Sequence, residues 1–221
     1  MNSIASSSFY LFKPELQKKI AGSMNIIQLA FADYGPKIGI CFNGGKDSTV
    51  VLDLVHRFKK ISKISTPIHP FFLDNNSNFA EVREFVKMSQ EIWGTEVEIL
   101  HGDDLRIGFQ RLIEDNSMNS FFLGQRSTDP KSNSLTPFSP TTKPWPEAMR
   151  ILPILNWSYT DVWTYIDTLQ IPTCTLYSKG YSSIGTIKDT KPNESLCLKN
   201  GSYLHARLLG DPSKERAGRD K

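Results

Sequence analysis

The residues best suited to chemistry stand together in Phe42-Asn43-Gly44-Gly45-Lys46-Asp47-Ser48, directly after the apolar run Ile38-Gly39-Ile40-Cys41. The order reads as a buried strand, a two-glycine turn and a helix starting near Ser48. Amides of such a turn and of the helix's first turn converge on one small volume, and the helix dipole adds positive potential there. Lys46 adds a full charge, which suits phosphate. The Walker A loop needs four residues between its first glycine and Gly-Lys-Ser/Thr, and this chain does not supply them. A carboxylate such as Asp47 beside a phosphate cradle makes sense when a divalent cation lies between the two. A turn that merely needs glycine for positive φ explains neither Lys46 nor Asp47.

The elements that must position this loop follow from periodicity. Residues 14–33 read as a lead-in helix, with Leu16, Ile20, Met24, Ile27, Ala30 and Phe31 near helical spacing and Gly35-Pro36 ending it. Strands are expected at 37–42, 68–73, 96–101 and 120–123, and helices at 48–60, 79–93 and 105–114. Short apolar strands alternating with helices predict an α/β fold, an open, mostly parallel twisted sheet with helices on both faces. Right-handed crossovers bring the Gly44-Gly45 loop, Asp74 and residues 124–129 to one sheet edge, where ligands bind in such folds. Residues 130–146, rich in proline, serine and threonine, read as a long loop. A short strand at 151–155 and a helix at 160–169, capped by Ser158 or Thr160, come next. Residues 171–200 read as irregular, and the basic tail from 204 onward as partly helical.

Length and composition narrow the class. The 221 residues suit one domain, or one domain with an extension. Hydrophobic residues make up 39% and charged residues 22%, and no apolar run is long enough to cross a bilayer. Residues 1–8 lack a basic segment followed by an apolar stretch, so no secretory signal is expected. A net charge of +3 gives no global support for nucleic-acid binding. Cys41, Cys174 and Cys197 form no Cys-x-x-Cys pair, and His56, His69, His101 and His205 show no metal-ligand spacing. The expected location is the cytosol.

The loop resembles the Ser-Gly-Gly-x-Asp-Ser pyrophosphate loop of ATP pyrophosphatases and phosphoadenylyl-sulfate reductases, with Asn43 in place of the first Ser. Five further stretches follow in order: Gly124-Gln125-Arg126-Ser127-Thr128-Asp129-Pro130, Trp145-Pro146 with Met149-Arg150, Asn156-Trp157-Ser158-Tyr159-Thr160-Asp161-Val162-Trp163, Gly180-Tyr181-Ser182-Ser183-Ile184-Gly185, and Arg216-Ala217-Gly218-Arg219. Together they resemble the eukaryotic FAD synthetase family, FMN adenylyltransferases of the phosphoadenylyl-sulfate reductase-like class, over roughly residues 35–220. The resemblance implies an adenine nucleotide α-hydrolase-like fold with an irregular or helical C-terminal extension. It implies one catalytic domain over 1–221, with a nucleotide core at about 35–130 and flavin-binding and C-terminal parts at about 131–221. The implied reaction is MgATP + FMN → FAD + pyrophosphate in a monomeric, cytosolic enzyme with no nucleic-acid or membrane partner.

Under that resemblance Phe42, Asn43, Gly44, Gly45, Lys46, Asp47, Ser48 and Arg126 would bind ATP. Asn43, Asp47, Asp129, Arg216 and Arg219 would be catalytic, with Asp47 and Asp129 at Mg²⁺. Arg216 and Arg219 would share one face of a last helix. Thr142, Trp145, Arg150, Trp157 and Tyr181 would bind the flavin, with Tyr177 and residues 182–185 lining or supporting that site. Thr142 stands where relatives commonly carry Asp, offering a hydrogen bond but no charge. Each assignment has a plainer alternative: a turn for Asp129, a surface ion pair for Arg126, a solvated tail for the arginines, and core packing for Trp157 and Trp163. A sulfonucleotide reductase of the same fold would use a late cysteine as nucleophile, and Cys197 lacks the expected surroundings. A carrier that binds nucleotide or flavin without turnover would have little use for paired carboxylates.

Overall fold

The computed structural model describes residues 10–102, 104–116 and 118–220; the serine-rich start, 1–8, and Lys221 lie outside them. Helix α1, Pro14–Tyr34, opens on a proline, which gives up no needed N–H at that position. It buries Leu16, Ile20, Ser23, Ile27 and Ala30 along one face. Strand β1, Ile38–Cys41, leads through the glycine turn into α2, Lys46–Ser62, which starts earlier than its apolar spacing suggests. Then come β2, His69–Asp74, α3, Ala80–Trp93, β3, Glu98–His101, α4, Leu105–Asn116, and β4, Ser120–Phe122.

These strands join β5, Phe138–Pro140, and β6, Met149–Ile151, in a six-stranded sheet of order β3-β2-β1-β4-β6-β5. The β1–β2, β2–β3, β1–β4 and β4–β6 pairings are parallel, and β5 runs antiparallel to β6 at the edge. Side chains alternate across the sheet as a period of two requires. Ile40, Phe72 and Phe122 enter the larger core with α1, α2 and α3, while Phe71 and Phe121 enter a smaller one with Phe109 and Leu112 of α4. The chain runs outward from β1 to β3 and returns to β4 on β1's other side. The loops after β1 and β4 therefore flank the switch point, where an open α/β sheet leaves a crevice.

Three expectations need correction. Residues 130–146 are not wholly loop, because β5 lies within them and adds an edge to β6. The strand expected at 151–155 sits at Met149–Ile151 instead. Pro153 has no N–H for a ladder, and the chain turns, with Leu155 N–H donating to Leu152 O and Trp157 N–H to Ile154 O. Of the two candidate caps for helix α5, Tyr159–Thr168, Ser158 fills the role and forms a reciprocal capping box with Asp161. The tail holds short 3₁₀ turns, Ala206–Leu208 and Pro212–Lys214, and no last helix is present among the described residues. Its backbone pairs outward: Lys191 N–H donates to Gly218 O, Asp220 N–H to Asp189 O, and Thr190 bridges Arg219.

Candidate functional site

The glycine loop holds its own shape. Asn43 Oδ1 accepts the Gly45 N–H at 3.0 Å and the Ser48 hydroxyl at 2.7 Å. Gly44 has φ of 69°, a conformation that a side chain would strain. Gly45 caps α2 without a side chain, so the first-turn amides are left for a ligand, apart from that of Lys46, which donates to Tyr177 Oη at 2.6 Å. The loop after β4 closes directly on this turn: a Cβ on Gly124 would lie 2.5 Å from Ser48 N. Phe42, expected among the ATP contacts, does not line the cavity beside this loop, and its side chain is buried in the core against Phe85.

Four charged side chains interlock behind the loop. Lys46 Nζ lies 2.9 Å from Asp47 Oδ2 and 2.5 Å from Glu215 Oε1. Arg126 Nη2 lies 2.6 Å from each Glu215 oxygen, and its Nε is 2.8 Å from Asp47 Oδ1. That last ion pair lacks hydrogen-bond geometry, and Asp47 Oδ1 and Arg126 Nη1 are buried with no hydrogen bond. Lys46 and Arg126 are 2% and 1% exposed, so Arg126 is no surface ion pair. Burial works against the Arg126 charge, yet Asp47 and Glu215 outweigh it and hold the guanidinium pKa above its ordinary value. Burial likewise opposes the Glu215 charge, and Lys46 and Arg126 overcome it and keep that carboxyl below the usual range.

These groups back a cavity of about 410 Å³. Asn43, Gly45, Lys46, Asp47 and Ser48 line one side, and Asp129, Arg216 and Arg219 line it too. The structure thus brings all the expected catalytic residues to one space. Asp129 is also a turn residue, its Oδ2 accepting the Arg126 N–H at 2.8 Å. Its pKa is raised, first by burial and further by the Asp47 and Glu215 charges. Arg216 and Arg219 reach the cavity from a turn and a β-bridge rather than from a helical face, and Arg219 Nη2 lies 3.2 Å from Asp189 Oδ2. Ser183, Ile184 and Gly185, expected to line or support the flavin site, also line this cavity. Asp74, placed by topology at the same edge, is taken up by Arg83 and Asn78.

The expected flavin residues do not converge in the same way. Trp145 is 39% exposed and packs edge-on against Phe109 at 5.6 Å between ring centres. Arg150, on β6, donates to the carbonyls of Ser139 and Pro140 across the edge pair. Thr142 is exposed, and its carbonyl accepts the Trp145 N–H at 3.0 Å. Tyr181 packs edge-on against Phe79, away from Trp145's partner. Trp157 is corrected: it is a core residue, 1% exposed, with its indole N–H donating to Ser23 Oγ at 3.1 Å. Trp163 is core as well.

One functional position escaped the sequence reading. Glu215 stands immediately before the Arg216-Ala217-Gly218-Arg219 stretch, which was its signal, but nothing local says that it turns inward. Tyr177, expected to line or support the flavin site, lines the cavity and holds the glycine turn by accepting the Lys46 N–H. The late cysteine that a reductase would need, Cys197, is exposed and outside the cavity lining. Cys41 shows part of its surface to the cavity, yet desolvation pushes its thiol up to about 12, so it offers no thiolate.

Comparison with known proteins places the chain in a family. Residues 107–192 match the phosphoadenosine phosphosulfate reductase domain family. A probable FAD synthase of Schizosaccharomyces pombe is 33% identical over 213 residues, covering 93% of this chain and 80% of that one. A probable FAD synthase of Caenorhabditis elegans is 35% identical over 191 residues, covering 83% of this chain but 36% of the worm protein, so this chain spans about a third of that relative's length. The crystal structure of Candida glabrata FMN adenylyltransferase in complex with FMN and the ATP analogue AMPCPP shares the fold, with a TM-score of 0.85 at 22% identity over 99% of this chain and 94% of that one. With a third of its residues shared with the fission-yeast protein over most of both lengths, this chain belongs to the FAD synthase family.

Proposed function

We propose that this chain is an FMN adenylyltransferase, joining ATP and FMN to give FAD and pyrophosphate. The observation that carries the reading is the cavity at the switch point, where α2's uncapped first turn, Lys46 and the two tail arginines meet two acidic side chains, Asp47 and Asp129. A terminal phosphate oxygen of FMN attacks the ATP α-phosphorus as pyrophosphate leaves in line. The nucleophile is already anionic, so the work is positioning and charge neutralisation rather than proton removal. The α2 amides and the Lys46 ammonium hold phosphate oxygens. Asn43 spends its Oδ1 on the loop and presents its amide nitrogen to the α-phosphate region. Arg216 and Arg219 take charge from the departing pyrophosphate. Trp145 and Arg150 receive the isoalloxazine ring, and Thr142 lies next to them in the same loop.

The reading includes Mg²⁺. Asp47 Oδ1 is buried without a hydrogen bond, and Asp129 shares the cavity. Mg²⁺ takes one or two carboxylates and completes its shell with phosphate and water, so these residues fit it. Asp47 and Asp129 would hold it, and when bound it would neutralise phosphate charge. The reading also includes a monomeric enzyme of the cytosol without nucleic-acid or membrane partners, in keeping with three unpaired cysteines and a net charge of +3.

Incubation of the purified protein with ATP, FMN and Mg²⁺ tests it. FAD should form in step with pyrophosphate. Flavin or nucleotide binding with no pyrophosphate released overturns catalysis in favour of a carrier.

A further inference from the structure

Glu215 has no part in the reaction as described, yet it is the hinge of the charged network. Both its oxygens contact Arg126 Nη2 at 2.6 Å, and one lies 2.5 Å from Lys46 Nζ. The residue is 9% exposed, and its backbone is fixed as firmly as its side chain. Ser182 Oγ donates to Glu215 O at 2.6 Å, and Asn193 Nδ2 donates to Ser182 Oγ and to the neighbouring Lys214 O. Fold segments far apart in the chain therefore agree on where this carboxylate stands.

Two buried cations side by side repel, and alone Lys46 at the cavity wall, with the Arg126 charge behind it, would hold any polyphosphate tightly. A carboxylate touching both fixes their separation and removes part of that pull. The distinction matters because one set of groups must first grip a triphosphate and then let pyrophosphate go. Attraction felt equally by substrate and product lowers KM without raising kcat, and slow release limits turnover. We infer that Glu215 is a positioning residue that fixes Lys46 at the phosphate end of the cavity against Arg126 buried behind it, and sets how tightly that end retains pyrophosphate. This rests on the adenylyl-transfer reading. It deepens that reading, because Glu215 also precedes Arg216 and so ties the arginine stretch to the glycine loop.

Glu215→Gln keeps the shape and removes the charge. Titration of the Mg²⁺-loaded protein with inorganic pyrophosphate should give a Kd about tenfold lower than wild type, with kcat down about tenfold and KM for FMN unchanged. A residue that only stabilised the fold would weaken pyrophosphate binding or leave it alone, so an unchanged or higher Kd overturns the inference. Glu215→Asp decides the matter if Glu215→Gln does not fold. It keeps the charge but loses the reach to both cations, so Kd should stay within about twofold while kcat falls about tenfold. Wild-type kcat in that variant, or a tenfold change in its Kd, overturns the inference. The titration needs no flavin: wild-type protein that makes no FAD counts against adenylyl transfer, and the Kd values still judge Glu215.

Discussion

The phosphate end and the proposed flavin end of this molecule are held together by different kinds of contact. At the phosphate end most of the shape is local in sequence. Asn43 organises Gly45 and Ser48, Lys46 meets Asp47, and Asp129 receives the Arg126 amide three residues away. At the flavin end the aromatic residues are sorted by distant partners. Trp157 is drawn to Ser23, 134 positions away, while Trp145 rests on Phe109 of a helix on the sheet's other face. The glycine loop is thus preformed by neighbours before distant Glu215 and Tyr177 lock it, whereas the fate of a large apolar ring depends on which surface arrives to cover it.

Replacing the two kinds of residue should separate them. Trp157→Ala should cost about 3–5 kcal/mol of stability, read as a shift in the urea midpoint, because it empties a packed site against Tyr165. The KM for FMN of the folded fraction should not change. A stable variant with weakened FMN binding would move Trp157 to the flavin and dissolve the contrast. Asp47→Asn should lower turnover about 100- to 1,000-fold in a pyrophosphate-release assay while circular dichroism shows the fold intact. Full activity there would remove Asp47 from the mechanism.

That contrast also explains what could be read from the sequence. The strand–glycine turn–helix order and the alternation through β4 are local patterns, and periodicity exposes them. The pairing of β5 with β6 is not, because Phe138–Pro140 contains a proline and sits in a stretch whose composition says loop. The tail misled for a related reason. The spacing of Arg216 and Arg219 fits a helix face, but the backbone there finds its partners in residues 189–191. Glu215 was invisible because an isolated glutamate is a surface residue by default, and only Lys46 and Arg126, both far off in sequence, give it a reason to be buried.

The tail tests whether a nonlocal polar element behaves like the local ones. Arg219→Ala should lower kcat about 10- to 100-fold, the worth of one charge-assisted contact to a phosphate, with FMN binding little changed. Equal losses in turnover and in a flavin titration would make Arg219 a flavin-site residue. It would also show that the two ends are less distinct than their contacts suggest.

Trp145→Ala probes the other side of the contrast with the smallest expected effect. The indole is partly exposed and touches the fold chiefly through the edge of Phe109, so its removal should leave the urea midpoint nearly unchanged. A ring that stacks on isoalloxazine contributes about 0.5–1.5 kcal/mol beyond its area, which predicts a rise of roughly 2- to 10-fold in KM for FMN and none in KM for ATP. Trp145→Phe should recover most of that loss, since a smaller aromatic face still stacks. If the alanine variant instead unfolds early while KM for FMN stays constant, Trp145 serves Phe109 and the small core. Both tryptophans of the flavin segment would then be structural, and the flavin would have to be held by Arg150 and its surroundings.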